Sequence, residues 1–302
     1  MTLTLNFESI NGCGVTLDLQ GNLYAVQISN VIKKWKSPLT ALTTGTIFAG
    51  GGTTSPTALA AGASAPATSM SFGYIRNIRM DTLGNMYLCG YGTAVLYKID
   101  STGLCTIVAG TYNVFSYLGD GGAATSATMY YVEDVAISAL NGDLYIADAI
   151  NYRIRRVNGT THIISTYAGN GLTTGTDNVA ATLSGINYPT GVALDAHDNL
   201  YIADIYNYAI RYVNKATGII TTVVGTLGVQ GVTGDGGPAT SATLLNCWGV
   251  TYDKYGMLWL SCTTFSSPST LRMVDLTSKG NTITTVTTGL SLASHLELLI
   301  LI

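Results

Sequence analysis

Charge is what this sequence has least of. Asp, Glu, Lys and Arg make up 10% of its 302 residues, against about 25% in ordinary globular domains. That scarcity argues against long surface helices, whose exposed faces draw on Glu, Lys and Arg. Only 14 Lys and Arg stand beside 17 Asp and Glu, for a net charge of −3, so the basic footprint of a nucleic-acid binder is missing. The chain is not thereby disordered, because 47% of it is apolar and can form a core. None of the five cysteines forms a CxxC pair, which excludes a zinc ribbon and a dense disulfide framework. No Ser, Cys or His spacing suggests a nucleophile. The apolar run 296–302, "LELLILI", is too short to span a bilayer. Residues 1–12 have neither a basic start nor an apolar centre, so no signal peptide is expected there. The compartment is open between cytoplasm and export; on export the tripeptide Asn158-Gly159-Thr160 would be an acceptor for a glycan.

What fills the space is Thr, Gly and 19 tyrosines, a strand-and-turn composition. It is organised by repetition, the signal to read first. "LYIAD" occurs at Leu144 and again at Leu200, inside longer matches, 133–158 and 190–214. Weaker copies are "GNLYAV" from Gly21, "GNMYLC" from Gly84 and "GMLWLS" from Gly256. Each is followed by a segment like "IxxV" and a run rich in Thr and Ile. Five units of four short strands result; in the fourth unit the strands are expected at 191–195, 200–204, 209–213 and 219–224. The joints carry Asn, Asp and Gly, which accept tight turns at low cost. Four-stranded units in tandem imply an all-β fold, a β-propeller of antiparallel blades.

The pattern "GVALD…NLYIAD…IR.V…TG.I.TVVG…GDGGPATSATL" resembles NHL-type propeller repeats over about residues 12–289. Propellers of that family usually have six blades, which the resemblance implies here; this sequence supplies five. The reading adopted is one propeller domain over 1–302, with five units in 12–289, a ring-closing strand within 1–11 ("TLTLNF", 2–7), and a tail at 290–302. The alternative is a six-bladed ring whose last blade is incomplete. A monomer, or a module of a longer chain, is expected.

The phrase "GDGGAATSATM" (119–129) returns as "GDGGPATSATL" (234–244). It has no following Lys and no strand–loop–helix setting, so it is not a phosphate loop. It reads as a structural joint crossing the top of a blade, with glycine taking positive φ and Met70, Met129, Leu183 or Leu244 closing the gap between blades. No cofactor is expected. Calcium on Asp120 and Asp235 is the alternative, but one carboxylate per loop is thin for an ion that takes six to eight oxygens.

Asp148 and Asp204 end the second strands; Arg155 and Arg211 sit at matching places in the third, joined by Arg272 and by Lys33. Recurrence from blade to blade suits a structural lattice; a ring of charge about an anion is the competing reading. Asp18, Asp81, Asp195 and Asp253 close the first strands in a turn motif where Asp caps the backbone. His162, His197 and His295 fall at non-equivalent places and cannot converge on one metal. That counts against the alternative function, a metal-dependent propeller lyase or lactonase working in the central channel. Cys247 and Cys262 face each other across a predicted hairpin, as a disulfide or as two buried thiols. Tyr87, Tyr145 and Tyr201 are expected to fill spaces between blades. The strand 2–3 loops share one rim with the crossovers and carry Tyr91, Asn151, Tyr152, Arg153, Tyr206, Asn207 and Tyr208. Tyrosine offers contact area with a polar tip, so these are the candidate binding residues, and the expected function is a scaffold holding a protein or glycan partner.

Overall fold

The hairpin turns set the strands. A computed structural model describes residues 10–27, 29–37, 45–264, 267–277 and 281–290. At each of four first-strand ends an Asp carboxylate caps the turn. Asp195 Oδ1 accepts from the amides of His197 and Asn199, both at 2.9 Å, while Oδ2 accepts from the Asn199 side chain at 2.8 Å. Asp18 and Asp81 repeat this, and Asp253 adds the indole of Trp259 at 2.9 Å. The carboxylate satisfies the amides the turn leaves without strand partners.

Five four-stranded antiparallel blades follow, each a simple meander. Blade 1 comprises Ile10–Leu17, Leu23–Gln27, Ile32–Trp35 and Thr46–Ala49; blade 2, Ile75–Met80, Met86–Gly90, Val95–Ile99 and Leu104–Ala109. Blade 3 comprises Val132–Ile137, Leu144–Asp148, Arg153–Val157 and Ile164–Ala168; blade 4, Pro189–Leu194, Leu200–Asp204, Ala209–Val213 and Ile219–Val224; blade 5, Asn246–Tyr252, Met257–Thr264, Ser267–Asp275 and Thr282–Leu290. The fold is the all-β propeller architecture, and the fourth-unit strands fall within two residues of the expected bounds. Of the expected closing strand and the tail at 290–302, the stretches 2–7 and 291–302 lie outside the described residues.

The chain divides into two compact units, Met1–Val132 and Glu133–Ile302. In the first, one core gathers Tyr24, Val26 and Ile32 of blade 1 with Ile78, Leu88 and Tyr97 of blade 2. In the second, Ala147 and Ile154 of blade 3 meet Leu200 and Ile202 of blade 4, and Ala203 and Ile210 meet Leu258 and Leu260 of blade 5. The core therefore lies between neighbouring blades, each buried Leu, Ile or Val contributing about 1.5–3 kcal/mol. Tyr87, Tyr145 and Tyr201 are buried; Tyr145 and Tyr201 join these seams. The first strands of blades 1, 2, 4 and 5 carry a bulge near their start. At the bulge of blade 4 a Cβ on Gly191 would lie 2.9 Å from the Trp248 carbonyl oxygen, so only glycine lets the first strands of blades 4 and 5 approach this closely.

The glycine-rich crossover does more than cross the top of a blade. Gly236 N–H donates to Ile283 O at 2.8 Å, and Ile283 N–H to Gly237 O at 3.2 Å. The phrase thus lies along the outer strand of the following blade and covers its edge, as Val179–Ala180 and Ala65–Pro66 do for blades 4 and 2. Gly234 has φ 101°, and a Cβ there would come 2.6 Å from Ala242 Cα. Met70, Met129 and Leu244 are fully buried, but Leu183 is 68% exposed. The buried Ala181 holds the place of Ala239, each carbonyl accepting from the glycine that ends the preceding blade, so Leu183 corresponds to Ser241 and Ile186 is the buried counterpart of Leu244.

Candidate functional site

The strand 2–3 loops are organised by a buried polar node. In blade 4, Asp204 Oδ2 lies 3.2 Å from Arg211 Nη1, both side chains fully buried. Asn207 Nδ2 donates to both Asp204 oxygens at 3.0 Å, and Asn187 N–H donates to Oδ1 at 2.7 Å. Burial pushes the Asp204 carboxyl up; the Asn207 amide, the Asn187 N–H and Arg211 oppose it. Arg211 Nη2 reaches back to the crossover, to Thr176 O and Asp177 Oδ1, each at 2.9 Å, and to Ser184 Oγ at 3.2 Å. Blade 3 repeats the node with Asp148 and Arg155 at 3.2 Å and Asn151 at 2.9 Å from both carboxylate oxygens.

In blade 5 the Asp position is Cys262, the direct register partner of Cys247, and their sulfurs are bonded. Arg272 keeps its place and pairs with Asp235 Oδ1 at 2.7 Å. Asp235 Oδ2 accepts from Thr285 N–H at 3.0 Å, so both oxygens of this crossover carboxylate are engaged within the fold. Asp120, its counterpart, accepts from the Tyr117 hydroxyl at 2.9 Å. No group of three or more acidic, His or Cys side chains among the described residues is arranged to hold a metal ion. His162 and His197 lie exposed in separate turns, and His295 is outside the described residues.

The candidate binding residues separate into two groups. Asn151 and Asn207 face inward onto their carboxylates, and Arg153 turns Nη1 to Asn151 O at 2.7 Å and Nη2 to Asn170 O at 3.0 Å. The tyrosines face outward. Tyr206 is 41% exposed and lies 5.5 Å from the Tyr188 ring; Tyr152 and Tyr208 are half-buried. In the first unit Tyr91 stacks on Tyr131 at 4.0 Å, and the series runs from Tyr74 through Tyr130 to the exposed Phe115. Arg76 lies over Tyr91 and donates to the Tyr74 hydroxyl at 3.2 Å.

Sequence reading missed a cluster at the opposite end of the seam between blades 3 and 4. Ser138 stands where other blades have the turn Asp, and its hydroxyl donates to Asp198 Oδ2 at 2.7 Å. Asp143 grips Arg156 at 2.6 Å, while Lys215 bonds the Tyr145 hydroxyl. The missing turn Asp of blade 3 was the available signal.

No family model matches the chain. NHL repeat-containing protein 2 of Homo sapiens is 27% identical over 112 residues, 37% of this chain and 15% of that protein; the chain thus spans a small part of that curated relative. Among solved structures, that of the nidogen/laminin complex aligns over 90% of this chain and 82% of the other, with TM-score 0.56 and 13% identity. A streptogramin B lyase aligns over 90% and 67%, with TM-score 0.51 and 14% identity. Such low identities speak to the fold alone.

Proposed function

For this NHL-like β-propeller we propose the role of a rigid scaffold that engages a protein or glycan partner on the rim of strand 2–3 loops and crossovers. One observation carries the reading. The charged residues that recur from blade to blade are turned inward and ion-paired within the fold, while aromatic side chains collect outward on the same loops. Large aromatics with polar tips are the residues that dominate contact surfaces.

Partner capture from the native source, read by crosslinking, tests it. Tyr206→Ala and Phe115→Ala should each reduce capture about tenfold with little change in Tm. Equal capture by both variants and the parent would contradict the rim as the binding face. A rise in Tm with zinc or calcium, reversed by a chelator, would favour a metal-dependent enzyme with its site in the channel.

A further inference from the structure

Eleven described non-glycine residues have positive φ. Six are Asn, Asp or His, the side chains that tolerate this region, and one is Ala94. The other four are Tyr131, Tyr152, Tyr188 and Tyr208. A bulky residue in this conformation persists only where something else requires it. For two of them the fold supplies the reason: Tyr188 donates to Glu133 Oε1 at 3.1 Å, and Tyr131 stacks on Tyr91.

At Tyr152 and Tyr208 the turn sets the left-handed backbone, as it does at Asn30 and Ala94, but no polar or ring contact accounts for the choice of tyrosine. Their φ values are 55° and 52°. Both rings are part-exposed, and their side chains make no hydrogen bond, ion pair or ring contact with the described residues. They occupy one repeat position, three residues before Arg155 and Arg211, where blade 1 has Asn30 and blade 2 has Ala94. Asn30 does what the backbone favours, and its Oδ1 also accepts from Ile75 N–H at 3.2 Å. Tyrosine is kept in two consecutive blades against the backbone preference, with no side-chain hydrogen-bond, ion-pair or ring partner among the described residues.

We propose that Tyr152 and Tyr208, with Tyr206 two residues before the latter, form a stacking surface for a neutral, hydroxyl-rich glycan. The inference rests on the rim-binding reading and names its partner class. Charge decides between glycan and peptide. The carboxylates beside these tyrosine loops are engaged by the chain's own arginines, Asp148 by Arg155 and Asp204 and Asp177 by Arg211; Asp235 pairs with Arg272, and Asp120 and Glu133 accept from the Tyr117 and Tyr188 hydroxyls. Arg153 directs its guanidinium to two backbone carbonyls. A charged peptide would lose hydration here with little to pair against. A neutral sugar meets flat tyrosine faces with polar tips and needs no counter-charge.

The test is calorimetric titration of the full chain with cello-, malto-, laminari-, manno- and chitohexaose, at about 0.05 M and about 0.5 M NaCl. At least one should bind saturably with affinity little changed by salt. The double variant Tyr152→Asn/Tyr208→Asn should lose about tenfold or more in affinity while its Tm holds or rises, because Asn accepts this conformation. Failure of every hexasaccharide to bind, equal binding by the variant, steep salt dependence, or a large fall in Tm of the variant would each overturn the inference. A parallel crosslinking arm separates the two levels. A protein partner captured by the parent and lost by the variant would keep the rim and remove the glycan; no partner of either kind would remove both.

Discussion

Blades 2 and 4 build the same buried corner from different chemistry. Their backbones coincide: Gly90 has φ −79° and ψ 80°, Asp204 φ −92° and ψ 78°, and four residues on, Ala94 and Tyr208 both turn left-handed. Register coincides as well, Leu88 opposite Tyr97 and Ile202 opposite Arg211. Blade 4 fills the corner with Asp204, Asn207 and Arg211. Blade 2 fills it with Gly90, Thr93 and Tyr97: the Tyr97 hydroxyl meets Thr93 Oγ1 at 3.2 Å, and Thr93 Oγ1 donates to Gly90 O at 3.3 Å. Gly90 is needed for volume rather than for φ, since a Cβ there would lie 2.3 Å from Thr93 Oγ1. Burial raises the Tyr97 hydroxyl pKa above its ordinary value, so the corner in blade 2 stays neutral. What the fold requires at this corner is a filled, hydrogen-bonded volume. A buried ion pair is one way to supply it and carries a desolvation cost that offsets much of its attraction.

The comparison can be broken most sharply at Arg211. Arg211→Ala leaves Asp204 buried without its counter-charge and should cost about 3–5 kcal/mol, read by urea denaturation; a loss comparable with an ordinary surface substitution would mean the corner is wet. Blade 5 gives the next effect. There the disulfide stands at the carboxylate's place, closing a separation of 15 residues, so Cys247→Ala/Cys262→Ala should cost about 3 kcal/mol under non-reducing conditions. An unchanged midpoint would show the bond to be dispensable. Gly90→Ala should cost about 1–3 kcal/mol by overpacking, whereas a neutral result would show that Tyr97 can move aside.

The smallest effect is titrational. Burial pulls the Asp235 carboxyl up, but hydrogen bonds from Thr285 and Arg272 outweigh that and hold it below the usual carboxylate range. A lowered folded-state value adds stability above about pH 4 that disappears as pH falls through the folded value. Asp235→Asn should therefore flatten part of the acid limb of stability against pH and leave the neutral region's shape unchanged. An acid limb identical to the parent's would place the titrating group elsewhere; Asp18, also lowered, is the first alternative.

Much of the architecture was legible because the repeats are imperfect copies. The two "LYIAD" segments mark second strands, and the Asp turns mark the ends of first strands. Hairpin register set Cys247 opposite Cys262 but left a disulfide and two buried thiols both open; the structure has the bond. The crossover was only half legible. Its glycines announce positive φ, but nothing in a local reading says that Gly236 and Gly237 will pair with Ile283, far along the chain. Leu183 was misplaced because "AATL" mimics "SATL", whereas Ala181 corresponds to Ala239 and sets Ile186 in the place of Leu244. Asn151 and Asn207 were read as surface contacts because loop asparagines usually face water. The contrary signal is that the Asp, Asn and Arg of blades 3 and 4 become Gly, Thr and Tyr together in blade 2. Left-handed tyrosines had no signal, since conformational cost appears only once the backbone is known.

The most direct measurement is equilibrium unfolding of a blade 4 corner rebuilt on the pattern of blade 2, Asp204→Gly/Asn207→Thr/Arg211→Tyr, beside Arg211→Ala. The rebuilt chain should unfold cooperatively and recover most of the stability that Arg211→Ala loses. If it unfolds as easily as Arg211→Ala, the charge itself is required, and the corner cannot be read as interchangeable architecture.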